Sequence, residues 1–190
     1  MFKDMCLETR RLIVRPFNLK DSQELHEIMS QKEVVRFLPE DVMSLEEVKR
    51  IILWLNDCYE RNSPNRIIKF TAVIVWKEEQ KVIGWCGLGP LDINPKEIEI
   101  FYGLSKEFWG KGIATEAGKA MLHYGFNTIK LDEIVAVCDP ENIASISVIE
   151  KMGIIYRKKI EKLPEEFSSY QGCLYYSLSK DEYLRTAVET

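Results

Sequence analysis

The sequence predicts a single α/β domain over residues 1–190, of α+β character, with a mixed, mostly antiparallel sheet of about six or seven strands flanked by helices. Three observations predict it. Short β-rich runs crowd the first half, at Arg11–Arg15, Ile67–Trp76, Val82–Leu88 and Glu97–Leu104, and consecutive runs joined by short polar turns pair antiparallel. The stretch Glu97–Ala117 then reads as strand, glycine-containing turn and helix, because its apolar spacing changes from alternating to helical at Ile113. After that helix comes a short, mostly apolar run, Glu133–Cys138, the pattern of a strand buried on both faces and reached by a β–α–β crossover. No repeat, low-complexity tract or linker divides the chain.

Each element has a local reason. Arg11–Arg15 is a strand ended by Pro16, and Asn18 is an N-cap with Asp21 three residues on, ahead of an apolar stripe of Leu25, Ile28 and Met29. Ser44-Leu-Glu-Glu47 fits the capping box, and Val48, Ile51, Ile52, Leu55, Cys58 and Tyr59 follow at helical spacing until Asn62–Asn65 breaks the helix. Lys77–Lys81 is a polar hairpin turn, and Asp92–Lys96 is a second one leading into the Glu97–Leu104 strand. From Ile113 the stripe Ile113, Ala117, Met121 and Tyr124 defines a helix. Asp139-Pro140 stops the Glu133–Cys138 strand. Asn142 caps a further helix with Ile146, Ile149 and Met152 inward, and Gly153 stands where a left-handed C-cap belongs. Strands near Tyr156–Ile160 and Cys173–Leu178 flank a polar loop, and Lys180–Leu184 is a short tail helix.

Composition narrows the function. The formal net charge of −4 argues against a generic nucleic-acid surface, which needs a basic excess. No apolar run reaches the roughly 18–20 residues of a membrane span, and no leader-like pattern opens the chain. Cys6, Cys58, Cys86, Cys138 and Cys173 are scattered and odd in number, which fits neither a disulfide framework nor a zinc site. With only His26 and His123 besides, no metal is expected, and a reducing cytoplasm is the expected compartment.

The turn Trp109-Gly-Lys-Gly112 opens a helix, so unpaired N–H groups and the positive end of the helix dipole face one small volume. Gly110 and Gly112 let an anion approach the main chain, and Lys111 adds a charge. Neither GxxxxGK[ST] nor GxGxxG is present. Taken alone, the turn is an anion site or only a tight connection.

Three blocks together resemble the GNAT N-acetyltransferases, in particular the branch that includes the ribosomal-protein N-acetyltransferases. Trp109-Gly-Lys-Gly-Ile-Ala114 is similar to that family's acetyl-CoA pyrophosphate loop, with Trp109 in place of Gln or Arg. Asp139–Ser145 with Glu150-Lys-Met-Gly153 resembles the branch's NxxSxxxxEKxGF block, and Glu8-Thr-Arg-Arg-Leu-Ile-Val-Arg-Pro16 resembles its opening. The order of strands and helices agrees over nearly the whole chain. Ile154 replaces the usual Phe, and Ile149 stands where many members carry a catalytic tyrosine, so a tyrosine acid at that position is excluded.

The resemblance implies acetyl-CoA as co-substrate, no metal, and direct acetyl transfer to an amine, either a protein N-terminus or a small molecule. It implies a sheet whose central strands splay to admit the pantetheine arm. The backbone of Phe101, Tyr102 and Leu104 would pair with that arm, and the amides of Trp109, Gly110, Lys111, Gly112, Ile113, Ala114 and Thr115 would hold the phosphates. Glu99 would be the base, with solvent exposure or the use of Glu97 as competing readings. Ser145 is the candidate acid, against an ordinary backbone-bonding role, and Asn142 would cap its helix and touch the pantetheine. Lys106 and Lys119 read as solvated charges. Phe37, Trp54, Trp85 and Phe101 are candidate acceptor-pocket liners or core, and Asp92 and Glu40 could meet a cationic acceptor. Cys86 and Cys138 read as core and His123 as structural or surface. A homodimer is an option by family analogy alone, and a non-catalytic acyl-CoA sensor or scaffold is the rival to an enzyme.

Overall fold

The computed structural model describes residues 1–38 and 42–188, with side chains through Arg185. Eight strands form one sheet: β1 (Leu7–Glu8), β2 (Leu12–Pro16), β3 (Phe70–Trp76), β4 (Lys81–Leu91), β5 (Asn94–Leu104), β6 (Glu133–Cys138), β7 (Ile155–Lys159) and β8 (Leu174–Ser179). Their order is β1-β2-β3-β4-β5-β6-β8-β7, and every neighbouring pair is antiparallel except β5–β6. The helices are α1 (Ser22–Met29), α2 (Lys32–Val35), α3 (Leu45–Arg61), α4 (Ile113–Tyr124), α5 (Ile143–Lys151) and α6 (Lys180–Val188). Consecutive residues Phe70–Val75 are buried, so both faces of the sheet are covered there. No helix of the described residues is long and apolar enough to cross a membrane.

The caps form as their residues dictate. Ser44 Oγ accepts the Glu47 N–H at 3.3 Å, and Glu47 Oε2 accepts the Ser44 N–H at 2.8 Å, closing both halves of the box ahead of α3. Asp21 does the same for Asn18 at 2.8 Å, and also holds Arg15 through two bonds of 2.8 Å. Gly153 adopts φ 89°, and the Ile154 N–H returns to the Ile149 carbonyl at 3.2 Å, ending α5 in the left-handed cap that glycine permits.

Several elements differ from expectation. The sheet has an eighth strand, β1, whose two residues are too few for a periodic signal. The four-residue α2 has no side-chain cap. The second polar turn contracts to Asp92-Ile93, because Leu91 pairs with Asn94 and the polar run Asn94–Lys96 belongs to β5. Helix α4 runs on into a π-turn at Gly125–Ile129, where a Cβ on Gly125 would lie 2.7 Å from Ile134 Cδ1. The glycine therefore marks close helix–sheet contact as well as a helix end.

One topological feature positions the site. β5 and β6 are in parallel register at a single pair, Glu99 with Val135. β6 then pairs along its whole length with β8, while β5 continues to Leu104 with β4 on its other side. The two middle strands are thus bound to different neighbours and part beyond Glu99, leaving an open edge on β5.

Candidate active site

The glycine turn is built as its sequence requires. Ser105 donates to Ile83 O at 2.8 Å, a 3₁₀ turn spans Lys106–Phe108, and Trp109 donates back to Lys106 O at 3.1 Å. Gly110 and Gly112 lie at φ 71° and 72°, in the left-handed region that glycine adopts without strain. Gly112 caps α4 with no side chain, and the first bond into the chain is Glu116 N–H to Gly112 O at 3.1 Å. The N–H groups of Gly110, Lys111, Gly112, Ile113, Ala114 and Thr115 donate to no group among the described residues. They are a ready cradle for an anion. Trp109 latches the turn to β5, its indole N–H donating to Leu104 O at 2.8 Å. Lys111 is exposed over the Phe108 ring; Lys106 is paired with Glu33 at 2.6 Å, and Lys119 is exposed.

Glu99 lies at the point of divergence. Its Oε1 accepts the Val137 N–H at 3.3 Å, so the carboxylate takes up a β6 donor just past the single β5–β6 pair. Burial pushes its pKa up to about 7, with the Asp92 charge adding to this and the Val137 bond and the nearby Lys69 charge opposing it. Lys69 is held over the Phe101 ring, its Nζ 4.1 Å from the centroid. Asp92, on the β4–β5 turn, accepts from the Tyr170 hydroxyl at 2.9 Å. Glu97 lies beside the Tyr175 hydroxyl instead.

Across the opening, Asn142 caps α5: its Oδ1 accepts the Ser145 N–H at 3.1 Å. The Ser145 hydroxyl is not used by the cap, and it bonds to Cys138. The Tyr102 hydroxyl reaches the Ser145 carbonyl at 3.1 Å and lies 2.8 Å from the Ser145 hydroxyl. Burial pushes the Tyr102 pKa up, opposed by this bond, so the phenol keeps its proton. Ile149, the position lacking the family's usual tyrosine, is buried in the core. The phenol beside Ser145 is that of Tyr102, on β5. From the sequence only the backbone of Tyr102 is expected at the site, since nothing local says which helix end its side chain meets.

Burial pushes the Cys86 thiol up to about 12, and raises Cys138 as well, although Ser145 bonds to the latter. Neither is a poised nucleophile. His123 is exposed, with Nδ1 3.1 Å from the Tyr183 hydroxyl and 3.0 Å from Asn127 Nδ2. Trp85 is buried beside Gly103, and Phe101 is half-buried. Phe37 is exposed, and so is Trp54, in a shallow depression with Met43, Glu47, Arg50 and Ile51. Glu40 lies outside the described residues.

An anion cradle at the start of a helix, an open strand edge and a half-buried carboxylate between them are the parts an acyl-coenzyme transferase requires. The family model of the GNAT acetyltransferase domain matches residues 11–155. The N-acetyltransferase YnaD of Bacillus subtilis, itself uncharacterised, is 30% identical over 183 residues, covering 94% of this chain and 99% of that one. The p20 N-acetyltransferase of Bacillus licheniformis, also uncharacterised, is 32% identical, covering 93% and 97%. A GNAT-family acetyltransferase structure from Bacillus anthracis superposes with a TM-score of 0.75 at 25% identity, covering 93% and 99%. More distant are the spermidine N(1)-acetyltransferase of Escherichia coli, 24% identical over 90% of this chain and 87% of its own, and a ribosomal L7/L12 α-N-protein acetyltransferase solved with coenzyme A. The latter shares the fold, at a TM-score of 0.75 and 18% identity over 94% of this chain and 99% of its own. The chain belongs to the GNAT family and is an acetyl-CoA-dependent acetyltransferase.

Proposed function

We propose that the acceptor is a primary amine, on a protein N-terminus or a small molecule, and that the acetyl group passes to it directly within a ternary complex. The observation that carries this reading is Glu99: a half-buried carboxylate with a pKa of about 7, at the single residue pair that keeps β5 and β6 in register. The N–H groups of Gly110–Thr115 hold the pyrophosphate, and the β5 edge beyond Glu99 receives the pantetheine amides as an added strand would. Glu99 takes a proton from the incoming ammonium, directly or through one water, and the freed nitrogen attacks the thioester carbonyl carbon. The C–S bond breaks as the C–N bond forms. The departing thiolate takes the Ser145 hydroxyl proton, and Ser145 draws one from Tyr102 through the 2.8 Å bond. The second proton shed by the acylated nitrogen returns through solvent to the Tyr102 phenol, leaving one net proton on Glu99 for release. The relatives that act on spermidine and on a ribosomal protein support an amine acceptor.

The test is turnover of acetyl-CoA with a panel of N-terminal peptides and small amines, followed by thiol release and product mass. Acetylated product with intersecting initial-velocity patterns supports the reading. Parallel patterns would indicate an acyl-enzyme and overturn direct transfer. Coenzyme binding with no turnover of any amine would favour a sensor or scaffold.

A further inference from the structure

The segment Thr9–Arg11, at the turn between β1 and β2, reaches the coenzyme loop a hundred residues away in sequence. Glu116 stands in the first turn of α4, among the N–H groups that form the anion cradle. A carboxylate there suits the helix dipole but repels a pyrophosphate. Its charge is fully engaged. Oε1 accepts from the Thr9 hydroxyl at 2.6 Å and the Arg11 N–H at 2.9 Å, and Oε2 accepts from Arg11 Nε at 2.7 Å. The same guanidinium donates from Nη1 to the Lys111 carbonyl at 3.0 Å. In a trans peptide the carbonyl and the following N–H point in opposite directions. Drawing the Lys111 carbonyl toward Arg11 therefore aims the Gly112 N–H away from Arg11, into the cradle. Arg11 is itself fixed: its guanidinium carbon is 5.9 Å from the Trp76 ring centroid, and its carbonyl accepts the Lys77 N–H at 3.0 Å.

We propose that Arg11 is a positioning residue for the coenzyme pyrophosphate: it neutralises Glu116 and sets the orientation of the Lys111–Gly112 peptide without touching the ligand. The burden falls on the phosphate end of the donor alone, and the experiment exploits that. Wild type and Arg11→Leu are titrated with acetyl-CoA and with S-acetylpantetheine, which carries the same arm and thioester but no pyrophosphate. NMR titration reads dissociation constants into the millimolar range.

The expected result is a loss of about tenfold in acetyl-CoA affinity, the scale of one charge-assisted hydrogen bond, with S-acetylpantetheine changed less than about twofold. If both donors weaken together, Arg11 only supports the fold; if neither weakens, the loop is set without it. Either result overturns the proposal. Should Arg11→Leu fail to fold, Arg11→Lys keeps the charge but loses the fork that reaches both partners. The same donor-selective loss is expected of it, and its absence overturns the proposal equally.

Discussion

Glu99 shows how one side chain ties stability to activity. Its carboxyl has a pKa of about 7 in the folded chain and about 4.3 when unfolded. Between those values the folded chain holds a proton that the unfolded chain has lost, so stability falls as pH rises through the window and stays lowered above it. Glu99→Gln keeps an oxygen for the Val137 N–H and removes the buried charge. The variant is expected to unfold like wild type near pH 4.5 but to gain on the order of 2 kcal/mol at pH 8, read by denaturant titration at both pH values. Its turnover on the plateau above pH 7 is expected to fall by about 10²-fold or more, with acetyl-CoA affinity retained. Unchanged turnover would remove Glu99 as the base. The alternation around Glu99 was legible in the chain, since Glu97 and Glu99 lie on one strand face. Which of the two enters the cleft was not, because that depends on where β6 departs from β5.

At the scale of elements, β5 and the first turn of α5 meet through two hydroxyls. Asn142 satisfies the Ser145 N–H, so removing the Ser145 hydroxyl leaves the cap intact. Ser145→Ala and Tyr102→Phe are each expected to lower kcat by about 10²-fold, and the double variant by little more than either alone, because both remove one relay. Multiplying effects would show that the two groups act separately. Most element boundaries could be read from caps and punctuation. The Ser44–Glu47 box starts α3, Gly153 closes α5, and the Glu133–Cys138 strand stands where its apolar run places it. The departures arise where polar residues are strand-forming for a tertiary reason: Asn94–Lys96 extends β5 because β4 continues opposite it.

The whole molecule is organised around the divergence of its two middle strands: β5 runs from Glu99 to Leu104, where Trp109 latches the glycine turn to it. Acetyl-CoA binding should therefore stabilise the entire sheet. At about 100 times the dissociation constant, a ligand adds roughly 2.7 kcal/mol, which for a domain of this size raises the melting temperature by about 5–10 °C. Thermal unfolding with acetyl-CoA, using ADP and NAD as controls, checks it. No shift at millimolar coenzyme would mean that this chain, though of the family, has lost its donor site.

By itself the sequence determined the longer elements and their order, the caps of α3 and α5 and the glycine turn, because each depends on residues a few positions apart. It also carried the family resemblance, through three blocks at the right separation. Only the tertiary structure decided that Glu99 is seated against β6, that Tyr102 meets Ser145, and that Arg11 braces the loop at Lys111. Those three contacts join residues 38 to 100 positions apart, counting the Glu99–Val137 bond that seats the carboxylate. Which side chains face one another across such distances follows from strand register and from where two strands separate, and neither is written in any local pattern.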